Sequence, residues 1–416
     1  MTTRSITSEV PTKFNKNCSL EKKLVYDMEL LTPMVGGGVK SWEPDFNNPV
    51  RSQSIKGHLR FWWRTMQQCN DPTTLRKCED SLWGCTSQPS LIRLSVVPVE
   101  KPVNKILFRD GRYVNYKDLP SYVLFPLQGQ KDVDKFNIIT GLKFQLTLHC
   151  RNEDREVVEN CIKLWVLFGG IGARFRRGCG SIYCQQIMEE FASPESIKQF
   201  ILRFQKEDGP VFTTAPYPHL HNSRLAWQLQ DGNGDAKATW KNFLDHFGVF
   251  RQGEGEAREL RKGGKNHPGP TRWPEADAIR IVTGKKPGLH GSVHPAGKWF
   301  PRAAYGLPIL TKFKQQKEEP DGEYTLHPQG YDRWPSPVIL KVIKLGNGDI
   351  LKICLILNQS PPPSGIKLQG PYTDYSLTAA EMPLSFNGKT MPINAPLKTS
   401  TSPYEAIIEF FKLREI

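Results

Sequence analysis

An α+β fold is what this sequence predicts, because two apolar periods alternate along the chain. Stretches with every second residue apolar, the strand period, are interleaved with stretches whose apolar residues recur every three or four, the helical period. In the first half the order is strand, helix, strands, helix, strand, which suits a β-α-β-β-α-β unit. A chain of 416 residues has room for a second domain beside it.

The elements follow in order. Residues 1–22 are polar and read as a loose leader. Leu24–Leu31 carries Val25, Tyr26, Met28 and Leu30 and reads as a strand running into the turn Thr32–Gly38. From Ser54 to Gln68 the pattern turns helical, with Ile55, Leu59, Trp62 and Met66 on one face and Ser52 or Ser54 as the cap. Leu91–Val99 and Leu142–Cys150 alternate like strands, and Asp154–Phe168 is a second helix burying Val157, Val158, Cys161, Ile162 and Trp165. A glycine-rich turn then leads into Ser181–Cys184.

A boundary is expected near 208–235, which holds Pro210, Pro216, Pro218 and the turn Gly232-Asn233-Gly234. Beyond it come a short helix, Ala238–Phe247, and a segment at 251–272 dense in Gly, Arg and Lys that reads as an exposed basic loop. A helix at Pro274–Val282, an element at Ala304–Phe313, strands Val338–Lys344 and Ile350–Leu357, and a helix Pro403–Leu413 complete the chain. This half is not an exact repeat of the first, but reads as a degenerate copy of it.

Composition points to a polyanionic partner. Lys and Arg outnumber Asp and Glu by 56 to 42, a net charge of +14, and such an excess costs self-repulsion unless a polyanion offsets it. Nucleic acid fits better than a membrane surface, since no basic amphipathic anchor is evident and the apolar run Leu164–Phe168 is too short to cross a bilayer. The nine cysteines are odd in number and form no C-x-x-C pair, which predicts a reducing, cytoplasmic setting rather than a disulfide scaffold. No cofactor and no metal site are predicted: the acidic residues Asp45, Asp71, Glu79 and Asp80 lack ligand spacing.

Two motifs carry chemistry. The first, Phe168–Ser181, interleaves Gly169, Gly170, Gly172, Gly178 and Gly180 with Arg174, Arg176 and Arg177. Glycines let backbone N–H groups approach phosphate oxygens, and guanidinium forks bind the same anions. It is neither a dinucleotide turn, since it follows a helix, nor a Walker loop, since it lacks Gly-Lys-Ser/Thr. The bland alternative is a C-cap loop with solvated arginines. The second motif, Arg51–Arg64, places Lys56, Arg60 and Arg64 four residues apart on one helical stripe, with Trp63 beside them to stack on a base or pack under an arginine. Its alternative is an ordinary solvated face. Trp299–Pro308, which contains Arg302, and Arg333–Pro337 combine aromatic, Arg and Pro or Gly residues more weakly.

Arg51-x-x-Ser54-Ile55-Lys56-Gly57-His58-Leu59-Arg60-Phe61-Trp62-Trp63-Arg64 resembles the signature of the RAMP superfamily in its type III-B CRISPR form, and Gly169–Ser181 resembles its glycine-rich loop. Trp273–Arg280, Phe300–Pro308 and Arg333–Pro337 resemble the second domain of such proteins. Lys56 stands where the family pattern leads one to expect Arg.

The resemblance implies two ferredoxin-like domains, at 1–215 and 216–416, the second with the basic insertion. It also implies a non-catalytic RNA-binding role in a Cmr effector complex. The partners would be a guide RNA near its 3′ part, the paired single-stranded target RNA, and other subunits, with no membrane. The expected RNA-contacting residues are Arg51, Lys56, Arg60, Trp63, Arg64, Gly169, Gly170, Gly172, Arg174, Arg176, Arg177, Gly178, Gly180 and Arg302. The alternative is a metal-independent endoribonuclease of the same superfamily, with His58 as its general acid or base.

Overall fold

Apolar alternation in the first strand sets the first sheet. In the computed structural model, β1 (Glu21–Leu30) lies antiparallel to a long partner, and Leu24, Tyr26 and Met28 face Leu148, Leu146 and Phe144 across the ladder. The structure describes residues 21–39, 43–69, 71–109, 112–113, 119–120, 122–124, 135–205, 217–230, 234–252, 273–287, 298–313, 318–371, 373–378 and 402–415. The leader and most of the 251–272 segment therefore lie outside the described residues.

After β1 come α1 (Ser52–Met66), α2 (Pro72–Trp83) and β2 (Arg93–Pro98). A small sheet is then inserted, made of β3 (Val103–Arg109), β4 (Arg112–Tyr113) and β5 (Lys135–Thr140). β6 (Lys143–Arg151), α3 (Arg155–Phe168) and β7 (Ile182–Tyr183) close the first unit. Its sheet order, β2-β6-β1-β7, is antiparallel throughout and is the connectivity of a β-α-β-β-α-β unit. Two helices, α4 (Gln185–Met188) and α5 (Pro194–Leu202), lead out of it.

β8 (His219–Leu229) opens the second unit and is followed by α6 (Ala236–Gln252). Further on are α7 (Glu275–Val282), β9 (Ile309–Lys312), β10 (Glu323–Pro328), β11 (Val338–Lys344), β12 (Ile350–Asn358), β13 (Ile366–Gly370), β14 (Thr373–Leu377), α8 (Pro403–Phe410) and β15 (Arg414–Glu415). The sheet β11-β12-β8-β15 repeats the strand order of the first unit, while β14-β13-β10-β9 forms a separate sheet under α7. The molecule is thus α+β with antiparallel sheets. The expected helix 238–247 is longer at both ends, and Ala304–Phe313 divides into a 3₁₀ turn, Pro301–Tyr305, and β9.

Both faces of β11 and β12 are covered, which explains runs such as Val-Ile-Leu-Lys-Val-Ile that scarcely alternate. Ile339, Ile343, Leu351, Ile353 and Leu355 join the core of the first unit around Trp62, Trp165 and Leu164. Val338, Leu340, Val342, Cys354 and Ile356 pack instead under α6 and α8, against Trp240, Phe243 and Ile407. Lys341 stands on the first of these faces, wholly buried, and donates to the carbonyls of Val166 (2.6 Å) and Gly169 (2.7 Å) at the end of α3. Cys150, Cys161, Cys179, Cys184 and Cys354 are buried free thiols. Among the described residues, no helix is long and apolar enough to cross a membrane.

Candidate nucleic-acid interface

α1 forms on the predicted stripe, burying Ile55, Leu59 and Trp62, but it starts from Arg51 with no side-chain cap, so neither serine serves as one. Its cations are paired. Arg60 Nε lies 2.5 Å from Glu79 Oε1, Arg64 Nη1 lies 2.6 Å from the same oxygen, and Arg60 Nη1 donates to the Gly84 carbonyl at 3.0 Å. Glu79 comes from α2 and is 5% exposed. The stripe without acidic partners expected from α1 alone is therefore corrected: α2 supplies the anion. Trp63 is likewise corrected, being 5% exposed and part of the core rather than a base-stacking platform.

Lys56 is half-buried, and burial first, then Arg60, lowers its ammonium pKa. Arg51 is exposed and donates to the Gly37 carbonyl at 2.5 Å. His58 lies near-parallel to Trp165 at 6.4 Å and meets Phe175 edge-on at 5.5 Å. Desolvation pushes the His58 pKa down to about 4, leaving the ring neutral at pH 7.

The glycine-rich loop folds back on its own protein. Gly180 N–H donates to Pro33 O (2.8 Å), Ile171 N–H to Gly180 O (2.9 Å) and Ala173 N–H to Val35 O (2.6 Å), so the loop is zipped to the turn after β1. Thr32, 1% exposed, donates to Gly178 O at 2.5 Å and accepts from Ser181 N–H at 2.9 Å. Gly178 and Gly180 hold φ of +67° and +63°, a region that costs a residue with a Cβ roughly 1–2 kcal/mol. A Cβ on Gly180 would collide with Ile171 O, and one on Gly178 would sit 2.8 Å from the Trp240 ring. Gly169, Gly170 and Gly172 are similarly crowded by Trp165, by Gly180 and by Val35 with Met34. These glycines make room for protein, where the sequence led us to expect room for phosphate.

The three arginines of the loop divide their work. Arg176 Nη1 donates to Ser336 O at 2.7 Å. Arg177 donates to Val338 O at 2.6 Å and Ser336 Oγ at 3.2 Å, with its guanidinium 4.9 Å from the Phe247 ring centre. Both thereby fasten the first unit to the second, Arg176 at Ser336 just before β11 and Arg177 at Ser336 and the first residue of that strand. Arg174 has φ +59° and is exposed. Arg302 is held by Glu275, which accepts from its backbone N–H at 2.7 Å and faces its Nε at 2.9 Å.

A cavity of about 610 Å³ opens where this loop meets α6 and the segment before β11. Arg174, Arg177, Arg251 and Arg333 line it, and among the described residues no carboxylate does. Two side chains register the positive field. Burial first, then repulsion from Arg251, brings the Arg177 pKa down to about 9. Burial alone would raise the Tyr122 phenol, yet Arg251, Arg302 and Arg177 outweigh it and lower its pKa. Sequence reasoning leaves Arg251, Arg333 and Tyr122 out of the site. Arg251, expected in the basic loop, belongs to the last turn of α6, whereas the glycine-rich loop, Trp299–Pro308 and Arg333–Pro337 are motifs of the sequence that each supply part of the lining.

Residues 27–183 match the model of the RAMP superfamily. Two curated relatives are subunits of a CRISPR system from Pyrococcus furiosus. Cmr subunit Cmr1-1 is 30% identical over 142 residues, 32% of this chain and 40% of that protein. Cmr subunit Cmr1-2 is 26% identical over 184 residues, 40% of this chain and 96% of that protein. The match thus spans less than half the length of the first relative. The crystal structure of Cmr1 from the same organism, in its apo form, aligns over 95% of this chain and 98% of that one at 16% identity, with a TM-score of 0.52. That likeness is one of fold.

Proposed function

We propose that this chain is a non-catalytic RNA-binding subunit of a type III-B CRISPR effector complex, built from two ferredoxin-like domains, 1–215 and 216–416. Likeness to two Cmr subunits supports the placement in such a complex. The observation that carries RNA binding is the cavity lined by Arg174, Arg177, Arg251 and Arg333, with no acidic residue among the described residues of its wall. Guanidinium groups gathered in this way repel one another, and a phosphate backbone relieves that repulsion. The partners are a guide RNA near its 3′ part, the target RNA paired with it, and other subunits of the complex. Sequence is read by base pairing, and the protein supplies a basic surface.

His58 speaks for binding without cleavage. Its ring lies between Trp165 and Phe175 and has too low a pKa to take up a proton near neutral pH.

The test is fluorescence anisotropy of a labelled single-stranded RNA with the purified chain across a salt series in EDTA, each sample then run on a denaturing gel. We expect salt-sensitive binding, intact RNA, and a salt slope in Arg174→Ala that is shallower by roughly 0.7, the share of one neutralised phosphate on a single strand. Binding that ignores salt would refute the proposal, and defined fragments would refute its non-catalytic part.

A further inference from the structure

The first sheet carries a surface of the opposite character to the cationic cavity. β2 is its edge strand, paired with β6 alone among the described residues. Val97 and Val99, 58% and 62% exposed, alternate at the end of that edge, and Val103 at the start of β3 is a third exposed valine. Exposed apolar side chains on an unpaired edge invite another chain to pair there, and natural proteins ordinarily blunt or cover them.

A groove of about 470 Å³ lies where Val99 meets the ends of β1, β6 and β7. Met28, Phe144 and Tyr183 give it apolar lining, and Asp27, Glu29 and Lys143 give it charge. Glu29 faces Lys143 across the ladder, but the Lys143 amine donates to Glu100 at 2.8 Å. Asp27 accepts from neutral amides, those of Gln145 at 3.0 Å and Gln186 at 3.2 Å. Among the described residues neither Asp27 nor Glu29 forms an ion pair. The local field is accordingly negative. Burial first, then Glu29, Cys184 and Glu189, raises the Tyr183 phenol pKa, although Lys344 lies 5.0 Å from its ring centre. In a chain of net charge +14, this acidic and apolar groove repels the polyanion that the cavity attracts.

We infer that the groove and the β2 edge form a docking surface for a neighbouring protein subunit, which lays an extended segment along Val97 and Val99 and seats a Lys or Arg side chain against Asp27 and Glu29. The inference rests on the placement of the chain in an effector complex and adds to it which face meets protein, and by what chemistry. A long cationic side chain matches the groove, because its aliphatic stem packs on Phe144 and Tyr183 while its charged head reaches the carboxylates. The alternation of Val97 and Val99 matches the two-residue period of an added strand. A second copy of this chain fits less well, since two bodies of charge +14 repel one another.

The test measures binding of the full chain to the complex assembled from the remaining subunits, by biolayer interferometry, with a benzophenone amino acid at Val99 to crosslink whatever lies there. We expect crosslinks to one Lys- or Arg-bearing segment of another subunit. Asp27→Lys and Val97→Asp should each weaken docking by about tenfold or more. Exchanging the crosslinked cation for Glu should restore docking of Asp27→Lys. Both variants should keep the circular dichroism and RNA affinity of the native chain, and Val97→Ser replaces Val97→Asp if the latter fails to fold. Crosslinks to RNA or to a second copy, or undiminished docking of the variants, overturn the inference. If the native chain docks and the variants dock as well, only this surface has failed; if the native chain joins no subunits, its placement in a complex has failed with it.

Discussion

Lys341 offers a test of how the two units are joined. Burial lowers its pKa from 10.5 to about 7, while its amine donates to Val166 O and Gly169 O at the end of α3. In the unfolded chain the amine titrates near its ordinary value. Between pH 7 and about 10.5 the unfolded state therefore binds a proton that the folded state lacks, and stability rises with pH in that window. From pH 7.0 to 8.5 the two-state linkage expression gives about 1.5 kcal/mol of added stability from this group. Buried thiols such as Cys161, Cys179 and Cys354, whose pKa values are raised, act in the opposite direction above about pH 9. The comparison is therefore made below that, between the native chain and Lys341→Met.

Urea unfolding at pH 7.0 and 8.5 measures the effect. At pH 8.5 the neutral amine still donates to both carbonyls, and Lys341→Met should cost about 2–4 kcal/mol for two buried acceptors left unfilled. At pH 7.0 that cost should shrink by about 1.5 kcal/mol, because the variant no longer buries a titrating group. Parallel pH profiles for the two proteins would refute the reasoning, and with it the placement of the amine in the seam.

Two further substitutions probe the remainder of the site. Gly180→Ala would drive a methyl group into Ile171 O at a positive φ, and should cost at least about 3 kcal/mol in urea unfolding or give insoluble protein; wild-type stability would mean that the loop does not close on itself as described. Glu79→Ala removes the anion shared by Arg60 and Arg64 and should lower stability by about 2–4 kcal/mol while raising RNA affinity at low salt. Unchanged stability would mean that the two arginines are solvated.

The sequence shows some of this design plainly and conceals the rest for physical reasons. β1, β6 and α1 each bury one clean stripe or face, so periodicity locates them to within a few residues, and α3 is located too, although Leu164–Phe168 is buried on every side and Val157, expected on the buried face, is exposed. β8 lies inside what reads as a boundary, because its inward positions include His219, His221 and Ser223, polar residues that erase the apolar signal of a strand. The insertion β3–β5 and the sheet β14-β13-β10-β9 are made of short strands whose cores lie in other segments. For Trp63, the face that looks outward in a lone amphipathic helix is inward here, because its ring joins the same core as Trp62 and Leu225 of β8. The pairing of Arg60 and Arg64 is invisible for the related reason that Glu79 is distant in sequence and stands on another helix.

The glycine-rich loop is legible as a motif, yet its mechanism is not. Read alone, glycines among arginines describe a phosphate cradle. In the fold the glycine positions are filled by Ile171, Val35 and Trp240, and two of the three arginines are engaged with Ser336 and Val338. What faces a ligand is Arg174, turned outward by its left-handed backbone, and the guanidinium groups that the second unit brings opposite it. The cationic cavity therefore exists only when both units are docked, because its walls come from each of them. An isolated first unit, motif intact, would lose Arg251 and Arg333, two of the four guanidinium groups that line the cavity. Under this reading the clasp formed by Arg176 and Arg177 acts on RNA indirectly, by keeping the two halves of one binding surface in register.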